Sequence, residues 1–177
     1  ITFIGVMAGD IQVQDVGFYD RALAGGALAS GEAYMDGCWV APQLDEFFAQ
    51  HIARWQGTSY PSLFLDSSKR NFYRRLAESA SRVKWMRFSR IDWNGRPIAF
   101  HFGFFYNGSY LWYKPSFDIE LAKHSPGEVL LRQLFLAASK EGAHTFDFGV
   151  GDEPFKRRFA TQIRRVRTWG LYPIEGF

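Results

Sequence analysis

From residue 44 the apolar positions fall on a 3.6-residue period: Leu44, Phe47, Phe48, His51, Ile52 and Trp55 share one face of a helix. A loop with Pro61 follows, and a second helix is predicted over residues 67–82. In it Phe72, Leu76 and Ala80 are spaced for burial, with Lys69, Arg70, Arg74, Arg75 and Glu78 elsewhere. The pattern then turns to strands over 85–93, 96–106 and 109–114. Asn94-Gly95 and Asn107-Gly108 separate them, and Asn-Gly favours the primed turns that join twisted antiparallel strands. A third helix over 125–140 is strongly signalled at both ends: Ser125 suits a side-chain N-cap, Pro126 the first helical position, Glu128 the third position of a capping box, and Gly142 the stop. Residues 145–148 make a short apolar strand, 149–153 a turn, and Pro154 opens a helix with Phe155 and Phe159 on its buried side. A last strand is predicted over 164–172. This order gives an α+β fold, an antiparallel meander in a mixed sheet with flanking helices.

Ahead of this lies a small strand/helix segment. Residues 1–16 are strand-like, with Ile11 and Val13 alternating against Gln12 and Gln14 after a turn at Gly9-Asp10; a helix over 15–24 ends at Gly25-Gly26. GEAYMDGCW at 31–39 reads as a glycine-punctuated turn around aromatic anchors.

Composition narrows the class. In 177 residues the hydrophobic fraction is 47% and the aromatic fraction 18%, enough for a real core and against disorder. Net charge is only +3, yet Lys156, Arg157, Arg158, Arg164, Arg165 and Arg167 fall in one stretch without an acid. That stretch reads as a local anion site or as a solvated helix face with a charged edge strand, rather than a general nucleic-acid surface. The single cysteine, Cys38, excludes an intramolecular disulfide framework and a multi-cysteine metal site, and no His, Cys and carboxylate spacing suggests a metal. Residues 1–8 lack the basic flank and cleavage site of a signal peptide, and no apolar run reaches about eighteen residues. A soluble, cytoplasmic protein is expected, with peripheral membrane contact left open and the oligomeric state unset. The start without Met fits a piece of a longer reading frame.

Two places carry candidate chemistry. A helix N-terminus at Ser125, Pro126, Gly127, Glu128 and Val129 presents backbone N–H groups to which anions bind, although a well-capped helix needs no ligand to explain it. Asp147, Asp152, Glu153 and Lys156 form the densest cluster of chemical groups; the bland alternative is that the acids cap the helix at Pro154 with Lys156 paired to them. His101, His124 and His144 each stand alone and read as structural. Tyr110, Trp112 and Tyr113 read as core and cleft wall. FDFGVG resembles a methyltransferase glycine motif, but only 26 residues follow Gly151, too few for the rest of a doubly wound sheet. Its Asp147-Phe148-Gly149 spells the kinase DFG without the accompanying kinase motifs.

The element order resembles the GNAT fold, and LDEFFAQHIARW at 44–55, SPGEVLL at 125–131 and FDFGVGDEPFKRRF at 146–159 resemble the CelD/BcsL-type acetyltransferases, a GNAT branch linked to cellulose and exopolysaccharide synthesis. The resemblance implies central strands that splay to receive acetyl-CoA or another acyl-CoA, with its diphosphate on Gly127, Glu128 and Val129. It implies an amine or hydroxyl acceptor, a small molecule or saccharide. Asp152 or Glu153 would then take the acceptor's proton, and Lys156, like a lysine that follows an aromatic residue in the related FemABX transferases, would hold the oxyanion or a phosphate. Residues 10–48 resemble a different family, the N-terminal region of cyclopropane-fatty-acyl-phospholipid synthases, departing from it at Cys38 and lacking its methyltransferase domain. The expected division is a synthase-like segment, 1–43, and a GNAT-like domain, 44–177. A non-catalytic module binding CoA or a partner is the alternative, and a fragment of a lipid-modifying methyltransferase the lesser one.

Overall fold

The computed structural model describes residues 2–6 and 42–170. The turn at Gly9-Asp10, the helix over 15–24, GEAYMDGCW and Cys38 lie outside the described residues. Strand β1 (Thr2–Val6) is followed by helices α1 (Pro42–Trp55) and α2 (Ser67–Arg82), with a 3-10 turn at Leu63–Leu65 between them. Strands β2 (Met86–Trp93), β3 (Arg96–Tyr106) and β4 (Ser109–Phe117) come next. A 3-10 helix (Ile119–His124) leads into helix α3 (Pro126–Lys140), strand β5 (Thr145–Asp147) and helix α4 (Pro154–Phe159).

The strands form one sheet in the order β1-β2-β3-β4-β5. The first four are antiparallel, and β5 pairs with β4 in parallel because α3 carries the chain back across the sheet. Both hairpin turns take the expected form, with positive φ at Asn94 and Gly95 (51° and 75°) and at Asn107 and Gly108 (47° and 70°).

Alternation along β3 divides the core. Phe100 and Phe102 point to α1 and α2, where they meet Leu44, Phe47, Phe48, Phe64 and Tyr73; Ala99 belongs to the opposite face, with Tyr110, Trp112 and the α3 residues Leu130, Leu131, Leu134 and Ala138. The predicted face of α1 is the buried one. Helix α2 is rotated by about one residue from expectation: Tyr73 is 5% exposed and Phe72 57% exposed. Tyr73, Leu76, Ala77 and Ala80 recur at i, i+3, i+4 and i+7, a fuller stripe than Phe72, Leu76 and Ala80 provide.

The ends of α3 differ in how the sequence reads them. Its C-terminus closes at Gly142 (φ 80°), whose N–H donates to the Ser139 carbonyl at 3.0 Å while the Ala143 N–H donates to Ala138 at 2.9 Å, a Schellman arrangement. Its N-terminus is not capped by the Ser125 hydroxyl. Ser125 lies in the left-handed region (φ 52°), forced there because the 3-10 helix runs straight into α3, and its side chain makes no cap bond. The predicted last strand is also absent: the described residues 160–170 are irregular, and 171–172 lie outside the described part.

Candidate active site

Strands β4 and β5 pair only at Ser109 with Thr145, Tyr110 with Phe146 and Leu111 with Asp147. Beyond Leu111, β4 continues to Phe117, while the chain leaving Asp147 turns off through Gly149 (φ 68°) and Gly151 (φ 123°). On the α3 side the fork is packed: the Phe146 ring stacks on Tyr110 at 5.4 Å, and Phe148 lies 5.3 Å from Phe146 and 6.1 Å from Phe135.

At the point of divergence β4 carries an irregularity, since the register with β3 shifts between Phe102 and Phe104. The extra residue sends Tyr113 to the α2 side, where its hydroxyl meets that of Tyr73 at 2.9 Å. Beneath the irregularity lies His101, fully buried and stacked on Trp112 at 5.0 Å. The Tyr113 N–H donates to His101 Nε2 at 3.3 Å, so Nδ1 carries the ring proton, and Nδ1 finds no partner among the described residues. Burial pushes the imidazole down to about 3 and keeps it neutral. His101 is thus a packed strand histidine, with the added task of satisfying the amide that the irregular ladder leaves unpaired.

Gly103 makes room for that ring. A Cβ there would stand 2.0 Å from His101 Cε1 and 2.6 Å from the Leu111 carbonyl oxygen, and neither the buried ring nor the backbone can yield. Gly103→Ala is therefore expected to cost about 3 kcal/mol of stability, read as a lowered denaturant midpoint. An unchanged midpoint would mean the ring is not held where described.

At the start of α3 the Ser125 carbonyl accepts the N–H groups of Glu128 (2.9 Å) and Val129 (3.3 Å), and Pro126 has none to offer. Of the three amides expected to face a diphosphate, the Gly127 N–H is the one without an acceptor among the described residues. Glu128 turns away from a capping box and pairs with Arg158 of α4, which removes its charge from the helix end. Gly127 has a packing reason as well: a Cβ would meet the Phe117 ring at 3.3 Å. The other face of this corner is cationic, with Arg54 over the Phe117 ring at 4.0 Å and donating to the Pro115 carbonyl at 3.2 Å. An open amide and a side-chain-free α-carbon, with the Arg54 guanidinium over the adjacent Phe117 ring, are a donor set that fits a phosphate ester.

The second cluster is brought together, though in pairs. Asp147 ends β5 at the fork, exposed, with Oδ1 accepting the Gly149 N–H at 2.7 Å. Asp152 pairs with Arg157, which holds its carboxyl below the usual carboxylate range. Glu153 pairs with Lys156 at 2.8 Å and is likewise lowered by that hydrogen bond. Lys156 is 8% exposed, and its Nζ also donates to the Val150 carbonyl at 3.0 Å, tying α4 to the glycine turn. Three of the six clustered cations are therefore already paired with carboxylates. His124 and His144 are both exposed; His144 Nδ1 meets Thr145 Oγ1 at 3.0 Å at the start of β5. Among the described residues no group of His, Cys, Asp and Glu is placed to hold a metal, and no helix is long and apolar enough to cross a membrane.

Sequence reasoning missed the Tyr73–Tyr113 contact and the His101–Gly103 support beneath it. Both depend on one register shift, for which the sequence carries only the weak sign of a glycine inside a strand.

Comparison with known proteins agrees with this architecture. Residues 40–157 match the family model described as acetyltransferase (GNAT) domain. The structure of AAC(6')-Iy in complex with the bisubstrate analogue CoA-S-monomethyl-acetylneamine superposes with a TM-score of 0.52 at 10% identity, over 73% of this chain and 92% of that one. Cyclopropane-fatty-acyl-phospholipid synthases of Escherichia coli K12 and of Escherichia coli O6:H1 are each 36% identical over 67 residues, 38% of this chain and 18% of theirs. The chain thus spans about a fifth of the length of those curated relatives. The match over two thirds of the chain, on a sheet whose β4 and β5 part beside the start of α3, places the protein in the GNAT acetyltransferase domain family.

Proposed function

We propose that the protein transfers an acetyl group from acetyl-CoA to an amine or hydroxyl of a small-molecule or saccharide acceptor. The observation that carries this reading is the parallel β4–β5 pair that ends at Leu111 and Asp147, with the irregular Tyr113 and the start of α3 beside the fork. The acceptor nitrogen or oxygen attacks the thioester carbonyl; a C–N or C–O bond forms, the C–S bond breaks, and the acceptor's proton passes through a base to the departing thiolate. The Gly127 amide holds phosphate, with Ser125, Pro126, Glu128 and Val129 shaping the turn around it. An acyl-CoA acting as co-substrate is what membership of the family implies.

Asp147 is the best-placed base, because it stands at the fork itself. Asp152 and Glu153 are weaker candidates while Arg157 and Lys156 hold them ionised and occupied, since a base so stabilised accepts a proton less readily. Lys156 acts on the reaction by fixing the glycine turn through Val150, and its ammonium lies within that turn for an oxyanion. The CelD/BcsL-like blocks support a place in exopolysaccharide or envelope synthesis and a cytoplasmic site, where acyl-CoA is made. The segment 1–43 is a proposed appendage of separate origin whose strand β1 extends the sheet edge beside β2.

The test is thiol release from acetyl-CoA with amine and sugar acceptors. Asp147→Asn should lower the rate about 100-fold with little change in fold, by loss of general-base catalysis. Binding of acetyl-CoA without turnover would leave a non-catalytic module. The partial synthase match is the specific observation behind a methyltransferase reading, which calorimetry would favour only if S-adenosylmethionine bound and acetyl-CoA did not.

A further inference from the structure

On the α2 side of the sheet, opposite the α3 core, a cavity of about 490 Å³ is lined by Leu63, Ser68, Lys69, Phe72 and Tyr73. The rotation of α2 that buries Tyr73 turns the Phe72 ring outward, 57% exposed, onto this space. Apart from its edge contact with the Tyr73 ring at 5.5 Å, this phenylalanine is an exposed apolar surface beside the cavity. The wall leads toward the fork: the Tyr73 hydroxyl meets the Tyr113 hydroxyl at 2.9 Å, and Tyr113, 39% exposed, sits two residues beyond the last β4–β5 pair.

The charged side chain that lines the cavity is a lysine. Lys69 lines it, and Lys114 Nζ lies 5.3 Å over the Tyr113 ring. Neither ammonium is in an ion pair among the described residues. The carboxylate near Lys69 is Asp66, and its Oδ1 is occupied as the cap of α2, accepting the Ser68 N–H at 2.7 Å. Among the described residues no carboxylate lines the cavity. A polycationic acceptor would meet repulsion there, whereas an anionic one would find a cation already waiting.

We infer that this cavity is the acceptor site and that it takes an anionic ring-bearing acceptor, with the ring face on Phe72, the negative group on Lys69, and the nucleophile directed toward Tyr113 and the fork. The inference rests on the acetyl-transfer reading. It makes Lys69 and Phe72 determinants of acceptor choice, and the Tyr73–Tyr113 pair a positioning device that keeps Tyr113 between acceptor and fork. It also sets this chain apart from the structural neighbour bound to an acetylneamine analogue, because an amine-rich acceptor is what these lysines select against.

The experiment is titration of the full chain with glucosamine 6-phosphate, glucosamine and neamine, followed by NMR line broadening, on the wild type, Lys69→Glu and Phe72→Ala. Both positions are exposed, so the fold is expected to survive, and thermal melting checks it. The wild type should bind glucosamine 6-phosphate about tenfold more tightly than glucosamine, the value of one charge-assisted contact. Lys69→Glu should abolish that ratio and improve neamine binding, and Phe72→Ala should weaken both sugars. Equal affinity for the two sugars, a ratio indifferent to Lys69→Glu, a wild-type preference for neamine, or no binding at tens of millimolar would overturn the assignment. Turnover with acetyl-CoA separates the two readings. Binding as described with no transfer to any acceptor defeats acetyl transfer and leaves the cavity. Transfer unaffected by either variant defeats the cavity and leaves acetyl transfer.

Discussion

Replacing Phe47 with alanine should cost about 4 kcal/mol and lower the melting temperature by about 12 °C. Phe47 is fully buried, and its ring stands 5.3 Å from Phe64, 5.8 Å from Phe88, 6.2 Å from Phe100 and 6.1 Å from Phe102. It therefore joins α1 to the 3-10 turn and to two strands at once. Neighbouring rings are themselves packed and cannot collapse into the space, so the variant retains a cavity and loses both transfer energy and contacts. Phe47→Leu, which keeps most of the volume, should cost less than half as much. Phe72→Ala, on the exposed face of α2, should stay within about 0.5 kcal/mol of the wild type. Thermal and denaturant unfolding of the three variants checks this, and similar losses at Phe47 and Phe72 would show that the aromatic core is not centred as described.

The contrast between those phenylalanines shows how far the pattern of residues could be read. On α1 the apolar face is dense, with Leu44, Phe47, Phe48 and His51 in register, so one helix orientation wins. On α2 the candidate faces differ by a single step between Phe72 and Tyr73. The sheet decides, because Tyr73 has a hydroxyl partner in Tyr113 and Phe72 has no place in the core. The hairpins were legible since Asn-Gly specifies the turn by local conformation alone. Ser125 was misleading for the opposite reason: its side chain suits a cap, but the preceding 3-10 helix fixes its backbone in the left-handed region, from which the hydroxyl does not reach the free amides. At 164–172 a strand was expected after the helix at Pro154, and the described residues 164–170 find no ladder partner.

The candidate site divides in the same way. Chain order from β4 through α3 to β5 was readable, and it puts Asp147 where β5 leaves β4 and Gly127 against Phe117 at the end of β4. Whether a charged side chain is free or engaged was not readable. Lys156 and Glu153 are three residues apart, which permits their pair, but Glu128 meets Arg158 across thirty residues, a contact that only the docking of α4 on α3 creates. The cavity beside Phe72 was invisible for a related reason, since it depends on which of two adjacent aromatic residues turns outward.

Acidification should destabilise the fold well before carboxylates begin to protonate. His51 and His101 are both buried. Burial, and then the nearby Lys114 and Arg54 charges, push His51 down to about 4, and burial pushes His101 to about 3. Unfolded, each would titrate near 6.5. Below that value the unfolded chain binds protons that the folded chain refuses, so stability falls with pH; the loss continues to about 4 for His51 and about 3 for His101. Each contributes on the order of 2 kcal/mol between pH 7 and 5, about 4 kcal/mol together, a large share of the stability of a domain this size. Well above the unfolded value both rings are neutral in either state and the effect fades. Denaturant midpoints at pH 7, 6 and 5 measure the slope. His51→Gln, which retains a hydrogen-bonding group for the Ser62 hydroxyl now 2.8 Å from His51 Nδ1, should remove about half of that slope even if it lowers stability at pH 7. A midpoint flat from pH 7 to 5 in the wild type would mean that both rings take up protons inside the fold, and the buried His101 amide contact beneath Tyr113 would then have to open to admit one.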